Sequence, residues 1–274
     1  MATAVVGCTK EATFFEPLPD YAAIHWVNAV PDTGQQDIRV IDIVSDAALF
    51  DADFRGSNMF YQPIESGSRT VRIFNSSSNP VIASQILLET TLTLTTGTSY
   101  TFIHAGFARP AGIPARTTLM ITDASPTPAA AQVAVRAINA GAGLGGVDVF
   151  IVRKAVNAAT VDSLPDARAA TNIAFGAASA YIAVAVDDTS AAAAQAMRVV
   201  FTTTGTKTVL AAITAPGGTF GTPAADPIAG SRIAGSVLTA VLVPPSVVNS
   251  QAPAAFTTPS TVYLVDRRPP STAP

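Results

Sequence analysis

The sequence predicts an all-β protein made of two tandem antiparallel β-sandwich domains. Three observations lead to this prediction: short runs of β-branched and apolar residues, turn-forming clusters between them, and self-similarity along the chain. Of the 274 residues, 49% are hydrophobic and only 13% are charged, against roughly 25% charged residues in ordinary soluble domains. This composition excludes a disordered chain, and a net charge of -3 argues against a nucleic-acid-binding protein, which needs a basic face.

The N-terminal segment contains the one cysteine of the chain, Cys8, so no internal disulfide can form. Val5–Cys8 resembles a bacterial lipobox, in which the cysteine becomes the lipid attachment site. A signal peptide needs an apolar stretch of about 7–15 residues, and too few residues precede Cys8 to supply one. Two interpretations stay open. Either the true start lies upstream and Cys8 carries lipid, with residues 1–20 as anchor and tether, or Cys8 is a free thiol in a ragged terminus.

No other part of the chain is expected to hold it on a membrane. The longest apolar run, Val237–Val243, is cut by Pro244 and is far shorter than the about 18 residues needed to span a bilayer. The expected location is therefore the periplasmic or cell-surface side of a bacterial membrane, with the protein lipid-anchored or peripheral.

The chain repeats itself. One block aligns without insertion on another, so that Asn28 meets Asn139 and Asp37 meets Asp148; the blocks are 24–29 with 37–40, and 135–140 with 148–151. Three further correspondences are 71–73 with 197–199, 81–83 with 209–211, and 119–123 with 262–266. We therefore predict a first repeat at residues 21–125, a linker at 126–132, a second repeat at 133–268 and a proline-rich tail at 269–274.

Each repeat contains strand-like runs of four to eight residues between Gly, Pro, Asn and Ser clusters. The predicted strands are 38–44, 70–74, 81–87, 91–94 and 100–104, then 133–138, 147–152, 181–186, 198–202, 208–213 and 237–243. Turn signals at this spacing over about 100 residues are typical of an antiparallel β-sandwich. Two insertions interrupt the repeat, Ser45–Tyr61 and Lys154–Thr171, and Ser190 is placed to cap a short helical turn ending at Met197.

The opening of each repeat resembles the DUF4397 domain family. Asn28–Asp32 followed by Asp37–Val40, and Asn139-Ala140 followed by Val147–Phe150, are similar to the family's loop and first two strands. Asn172–Gly176 and Tyr181 are similar to its mid-domain stretch. The second repeat has Ala142-Gly143 in place of Pro31-Asp32, so a role of that pair is not expected there. The resemblance implies non-catalytic, immunoglobulin-like β domains in tandem, as found in secreted or lipid-anchored bacterial proteins, and brings no known activity.

Catalytic and nucleotide-binding interpretations are weak. Gly141–Gly146 fits the G-x-G-x-x-G pattern, but a strand-like run follows it where a phosphate-binding site needs a helix. His25 and His104 are the only histidines, and no G-x-S-x-G elbow accompanies them. Because Arg136 replaces His25 in the second repeat, we expect His25 at an outward or rim position. Both histidines are expected to be structural, and the chain is not expected to be an enzyme.

No cofactor or metal site is expected. Asp51 with Asp53, and Asp187 with Asp188, could offer oxygen ligands to Ca²⁺, but neither pair has enough further carboxylates nearby for the six to eight oxygens this ion takes. Asp37 and Asp148 are expected to hydrogen-bond a turn at the entry of their strands.

The insertion Ser45–Tyr61 and the C-terminal tail are the expected contact regions, because aromatic residues and arginine concentrate binding energy at interfaces. The candidate partner-contact residues are Phe50, Phe54, Arg55, Phe60, Tyr61, Arg267 and Arg268.

The favoured function is that of a non-catalytic extrinsic subunit that stabilises a larger membrane protein assembly. A photosynthetic reaction centre with its antenna is one host that would fit. The expected partners are the subunits of such a complex and the membrane itself, through lipid on Cys8. The alternative is a cell-surface adhesion or carbohydrate-binding module, with Trp26 and the aromatic insertion as stacking platforms.

Overall fold

The computed structural model describes residues 20–43, 47–153, 164–187, 196–222 and 224–269. The first repeat contains β1 (Tyr21–Ala29), β2 (Gln36–Val40), β3 (Ala48–Ala52), β4 (Gln62–Glu65), β5 (Gly67–Asn75), α1 (Pro80–Ala83), β6 (Ile86–Leu94), β7 (Ser99–Ala105) and β8 (Thr117–Asp123). The second repeat contains β9 (Gln132–Asn139), β10 (Val147–Val152), β11 (Ala170–Ile173), β12 (Ile182–Ala185), β13 (Arg198–Thr203), β14 (Val209–Thr214), β15 (Val237–Val243) and β16 (Ser260–Arg267). The predicted all-β fold class is confirmed.

The strands form four four-stranded sheets, two in each repeat. In the first repeat the strand orders are β4-β1-β7-β8 and β3-β2-β5-β6, and in the second they are β12-β9-β15-β16 and β11-β10-β13-β14. Strands β1–β8 therefore correspond one by one to β9–β16. The sheets are mainly antiparallel, and each repeat contains one parallel pair, β1 with β7 and β9 with β15. Between the two strands of each parallel pair the chain passes through all four strands of the opposite sheet and one edge strand, β4 or β12, of the same sheet.

Each repeat has its own core between its two sheets. Trp26 of β1 and Phe102 of β7 meet edge-on in the first repeat, with ring centroids 5.1 Å apart, and they pack with Ile38 and Ile73 of the facing sheet. Val135 of β9 packs in the same way with residues of β10 and β13 in the second repeat. Side chains alternate between the faces of a strand, so these residues occupy every second position.

The other face of the β4-β1-β7-β8 sheet packs against the β12-β9-β15-β16 sheet. A third apolar cluster lies there, with members of both repeats: Val27, Ala29, Ile103, Ala105, Ile138, Ala140, Val241, Val243 and Leu264. The central strands of these two sheets are consequently covered on both faces, and every residue of β15 is buried. This double burial explains why Val237–Val243 is a continuous apolar run instead of an alternating one.

Two details of the sequence prediction are wrong. The predicted strand 81–87 begins as helix α1, because the Asn79 side chain accepts a hydrogen bond from the Val81 amide and Pro80 suits a first helical turn. The strand equivalent to β14 is therefore β6, so the match of 81–83 with 209–211 fails. Sheet pairing also aligns Val71 with Val199, which shifts the match of 71–73 with 197–199 by two residues. A two-residue shift keeps each side chain on its face, so the core pattern survives.

Candidate functional site

The aromatic insertion contacts the second repeat. The Phe54 ring is buried and lies edge-on to Phe256, with centroids 6.0 Å apart. The Arg55 guanidinium lies 4.5 Å from the centre of the Phe256 ring and donates hydrogen bonds to the carbonyl oxygens of Pro244 (2.8 Å) and Thr258. Burial lowers the pKa of Arg55 to about 10, which still leaves it charged at neutral pH. Phe54 and Arg55 are thus contact residues whose partner is the second half of the same chain.

Phe60 continues this contact. Phe60 forms a parallel bridge with Val265 of β16, and the Arg268 guanidinium lies 4.7 Å from the centre of its ring. Arg267 is exposed and its guanidinium donates to Thr127 Oγ1 at 2.6 Å. Of the seven predicted contact residues, Phe50 is the large apolar one that remains exposed, at 58%. Their contact with another protein remains a prediction.

Polar side chains form a buried cluster between the repeats, which we call the interface polar cluster. Each member has its equivalent in the other repeat: His25 and Arg136, Tyr61 and Tyr181, Thr101 and Thr239, and Asp123 and Asp266. The histidine, the arginine and both carboxylates are 0–3% exposed at their side chains. A polar cluster at this depth is tolerated only when its charges are paired and hydrogen-bonded.

The ion pairs of the interface polar cluster cross from one repeat to the other. Arg136 Nη2 of β9 lies 2.7 Å from Asp123 Oδ1 of β8, and also 3.7 Å from Asp266 Oδ2 of its own repeat. His25 Nε2 of β1 lies 3.5 Å from Asp266 Oδ1 of β16. Asp123 of the first repeat thus faces Arg136 of the second, Asp266 of the second repeat faces His25 of the first, and Arg136 lies near both carboxylates.

The tyrosines and threonines complete the cluster. Tyr61 donates to Asp123 at 2.8 Å and Tyr181 donates to Asp266 at 2.7 Å. The His25 ring stacks on Tyr61 with centroids 3.8 Å apart, and the Arg136 guanidinium lies 4.8 Å from the centre of the Tyr181 ring. Thr101 donates to Asp123 at 2.8 Å, and Thr239 donates to Asp266. The Asp123 and Asp266 carboxylates therefore each accept hydrogen bonds from one tyrosine and one threonine, which come from equivalent positions of the two repeats.

The ionisation states follow from this environment. Desolvation and the nearby Asp266 and Asp123 carboxylates raise the pKa of Tyr61 far above its usual value, so it stays a hydroxyl donor. Burial acts to lower the pKa of Arg136, but Asp123 and Asp266 outweigh that effect and raise it. The cluster consequently holds Arg136 as a permanent cation between two buried acids.

The expected rim position of His25 is wrong, because its side chain is fully buried. His25 and Arg136 occupy equivalent buried positions, so the replacement of one by the other does not indicate exposure. His104 is also fully buried, with Nδ1 2.7 Å from Gln36 Oε1, and burial followed by the charge of Arg116 lowers its pKa to about 3. His104 is therefore neutral near pH 7, and both histidines have structural partners.

The residues that carry the family resemblance tie strands together. The Asn28 amide donates to the carbonyl oxygens of Ala52 and Asp53, and Asn139 donates to those of Gly145 and Ile173. Because each asparagine also accepts an amide two residues ahead, it fixes the turn after its strand.

The two repeated aspartates accept backbone amides of neighbouring strands, and Asp148 also accepts the amide of Gly205 in a turn, as expected, whereas Asp37 binds an amide within β3. Asp37 accepts the amide of Asp51 at 2.9 Å, and Asp148 accepts that of Asn172 at 2.8 Å. Burial acts to raise the pKa of Asp148, but the amides of Asn172 and Gly205 and the Arg168 side chain outweigh it and lower the pKa. Asp51 and Asn172 both adopt a positive φ, of 47° and 48°, which Asp and Asn tolerate better than most residues.

Three further sequence features have structural explanations. Gly141–Gly146 leads into β10, a strand, as the sequence indicated. The Asp187 carboxylate accepts bonds from Arg153, the Met197 amide and Ser231, whereas Asp188 lies outside the described residues, as do Cys8 and residues 190–195 of the predicted helical turn. Among the described residues, no group of three or more His, Cys, Asp or Glu side chains is arranged to hold a metal ion. The same residues include no helix long and apolar enough to cross a membrane.

A cleft opens where loops of the two repeats meet, at the end of the sheets where β1, β7, β9 and β15 finish. We call this region the loop end. Its cleft of about 670 Å³ is lined by Phe107, Arg109 and Ile113 of the first repeat and by Leu144 and Pro244–Val248 of the second. Ile113 is 84% exposed and Val248 is 85% exposed. Pro31-Asp32 help to build this region, since the Asp32 carboxylate accepts the Ala108 and Arg109 amides and the Pro31 carbonyl accepts the Val247 amide.

Comparison with protein families agrees with the resemblance seen in the sequence. Residues 22–150 match the family model described as domain of unknown function (DUF4397). The chain contains a DUF4397 domain. The match covers β1–β8 of the first repeat and extends to β10 of the second, and the strand order of the first repeat recurs in β9–β16. No curated protein matches the chain.

Sequence reasoning did not find the interface polar cluster in this DUF4397 protein. A signal was available, because Asp123 and Asp266 were already aligned by the repeat. What the sequence could not show is that each aspartate lies on the sheet face that the other repeat covers.

Proposed function

We propose that this protein is a non-catalytic accessory subunit that stands on the outer surface of a bacterial membrane and docks through its loop end onto a larger membrane protein assembly. The observation that carries this proposal is the exposure of Ile113 and Val248. These two aliphatic side chains come from different repeats, are almost fully exposed, and flank one cleft. Exposed apolar side chains gathered at one place are typical of protein–protein contact sites.

The construction of the loop end supports this role. The interface polar cluster and the apolar cluster beside it hold the two repeats together, so the loops from both halves are presented as one surface. Arg109 stacks on Phe107, with its guanidinium 4.4 Å from the ring centre, and adds a cation beside the apolar rim. An aromatic ring with a stacked arginine is a common component of interface hot spots.

The orientation of the strands supports a membrane tether on the opposite side. β1 runs from Tyr21 to the loop end over nine residues, a length of about 30 Å at 3.3 Å per residue. A lipid on Cys8 would therefore hold the far end of the fold at the membrane and leave the loop end free to meet a partner. The host that this proposal favours is an integral-membrane energy-converting complex, such as a photosynthetic reaction centre with its antenna.

The absence of catalysis is part of the proposal. Both histidines are buried and engaged with structural partners, and Asp37, Asp148 and Asp187 are bound to backbone amides. These hydrogen bonds support a structural role for the five side chains.

Purification from native membranes in mild detergent tests this function. The chain is expected to co-purify with a larger complex, and a pigment absorption spectrum of that complex would identify a photosynthetic host. Ile113→Glu and Val248→Glu should abolish co-purification, whereas Val81→Glu, at a site 70% exposed on α1, should not. Recovery of the unaltered chain only as a free monomer would contradict the proposal. Intact-mass measurement of the native protein tests the lipid on Cys8 separately.

A further inference from the structure

The β3-β2-β5-β6 sheet of the first repeat and the β11-β10-β13-β14 sheet of the second have outer faces of different chemistry. In the first repeat, Arg39, Arg72 and Glu89 occupy neighbouring positions across β2, β5 and β6. The equivalent residues of the second repeat are Phe150, Val200 and Ala212. Leu164 covers that second face, and Phe150 and Val200 are fully buried beneath it. The same sheet position is therefore closed and apolar in the second repeat, but open and polar in the first.

The open face of the first repeat ends in a cleft of about 510 Å³, lined by Phe50, Arg39, Asp51, Gln35 and Ser76–Ser78. This volume falls within the roughly 300–1,000 Å³ of small-molecule sites. We call it the Phe50 cleft. It lies on a different surface from the loop-end cleft and has no residue in common with it.

One aromatic ring stands at the Phe50 cleft. Phe50 is 58% exposed, and the Arg39 guanidinium lies 5.3 Å from the centre of its ring. The same guanidinium lies 5.3 Å from the Phe74 ring, so Arg39 is held between two aromatic side chains. The ring of Phe50 is thus supported from the sheet while most of its surface remains open to a ligand.

Polar groups at the cleft are fixed in place by their own hydrogen bonds. The Asp51 amide donates to Asp37, the Asp51 carboxylate accepts from Ser76 Oγ, and the Ser76 amide donates to the Gln35 carbonyl at 2.9 Å. The Asp51 carboxylate still has acceptor capacity, because an ionised carboxylate offers about four lone-pair positions. Hydroxyl and amide groups of Ser77, Ser78 and Gln35 lie beside it.

The charge of the Phe50 cleft selects among ligands. Asp37 and Asp51 carry two negative charges against one positive charge on Arg39, and Arg39 is already paired with Asp37. An anionic ligand such as a phosphate or a sulfated sugar would meet a repulsive carboxylate with no free cation. A lipid chain would leave the carboxylate and serines unpaired, at a desolvation cost. A neutral sugar fits both the apolar and the polar side of the cleft, because its C–H face packs on the Phe50 ring while its hydroxyls donate to the Asp51 carboxylate.

We propose that the Phe50 cleft of the first repeat binds a neutral oligosaccharide. Phe50 stacks on one sugar ring, and the Asp51 carboxylate accepts hydrogen bonds from adjacent sugar hydroxyls. In the described part of the second repeat, Leu164 and Phe150 fill the equivalent surface. This inference does not depend on docking at the loop end.

A glycan array carrying neutral and sulfated oligosaccharides tests this proposal, followed by calorimetric titration of the full chain with the soluble form of a bound glycan. The expected result is binding to a neutral class and none to its sulfated counterpart. Phe50→Ala should weaken binding by ~10-fold or more, since loss of an aromatic contact of about 1.4 kcal/mol corresponds to that factor. Asp51→Asn should weaken binding ~3-fold or more, because it replaces a charged acceptor by a neutral one.

The controls separate binding from folding. Asp51→Asn is expected to fold normally, since Asn172 occupies the equivalent position with almost the same φ. Phe220→Ala removes a ring of similar exposure, 56%, from the second repeat and should leave sugar binding unchanged. Ile113→Glu should also leave sugar binding unchanged, which distinguishes this site from the loop end. Absence of binding to every neutral glycan, or unchanged binding by Phe50→Ala with a native circular dichroism spectrum, would overturn the proposal, as would binding of a proline-rich peptide in place of sugars.

Discussion

The two repeats share one strand order but contribute different basic residues to the interface between them. Arg136 lies 2.7 Å from Asp123 of the other repeat and 3.7 Å from Asp266 of its own, whereas His25 lies 3.5 Å from Asp266. The acids, tyrosines and threonines around Arg136 and His25 are the same in both halves. The difference indicates that Arg136, a permanent cation, carries most of the charge balance of the cluster, and that the equivalent position in the first repeat can accept a weaker base.

The outer sheet faces show the opposite situation. There the residues at matching positions differ in kind, from Arg39, Arg72 and Glu89 to Phe150, Val200 and Ala212. Equivalent positions with the same residue type thus serve folding and the contact between the repeats. Equivalent positions with different residue types lie on the outer sheet faces, where the two repeats have different environments.

Removal of Arg136 should have the largest effect. Arg136→Met leaves Asp123 and Asp266 buried with only His25 nearby, and the free energy of unfolding should fall by about 3–5 kcal/mol, the usual cost of breaking a buried pair. Denaturant titration followed by tryptophan fluorescence measures it, since Trp26 lies in the adjacent core. His25→Phe is the matched change at the equivalent position and should cost less. Equal losses of unfolding free energy for Arg136→Met and His25→Phe would show that the two positions contribute equally to the interface.

Leu164 should matter more than the exposed ion pair at the equivalent face. Leu164→Ala uncovers Phe150 and Val200, and should lower the free energy of unfolding by about 2–3 kcal/mol, at the lower end of Leu→Ala costs in cores. Arg72→Ala breaks the exposed Arg72–Glu89 pair and should change the free energy of unfolding by less than about 1 kcal/mol. Thermal unfolding of both variants gives the ranking, and a smaller loss for Leu164→Ala than for Arg72→Ala would show that the second face is not a covered one.

The paired asparagines should be equivalent. Asn28→Ala and Asn139→Ala each remove a buried side chain that bonds two carbonyl oxygens and one amide, and each should cost about 1–3 kcal/mol. Chemical unfolding of the two variants side by side is the measurement. Similar values are expected because the two turns have the same bonding pattern, and a large cost at only one of them would show that the shared family residues do not share a role.

The pH dependence of the unfolding free energy should reflect the titration of His104, whose equivalent in the second repeat is Leu242. Since burial depresses the pKa of His104 to about 3, the unfolded chain binds a proton below its ordinary value of about 6.5 while the folded chain does not. Stability should therefore fall as the pH drops from about 6.5 towards 3, by up to about 1.4 kcal/mol per pH unit from this residue. His104→Leu should flatten the slope of unfolding free energy against pH between 6 and 4, and an unchanged slope would show that His104 does not contribute.

The sequence predicted the fold class and most strands because alternation and turn clusters report local geometry. It did not find the long-range partners of Asp37 and Asp148, which accept amides of β3 and β11 that lie 14 and 24 residues further along the chain. It misplaced His25 and Trp26, the latter as an exposed stacking platform although Trp26 is fully buried. These errors have a common cause: the identity of a residue does not show whether a sheet face meets solvent or another sheet. For the same reason the sequence could not predict the contact between the aromatic insertion and β16.

A double-mutant cycle on Arg136 and Asp123 tests most directly whether crossed ion pairs join the two repeats into one unit. Unfolding free energies are measured for the unaltered chain, Arg136→Met, Asp123→Asn and the double variant, with Arg72 and Glu89 as an exposed reference pair. A coupling energy of about 1–3 kcal/mol is expected for the buried pair, well above that of the reference pair. Additive effects, within about 0.5 kcal/mol, would contradict this view of the interface.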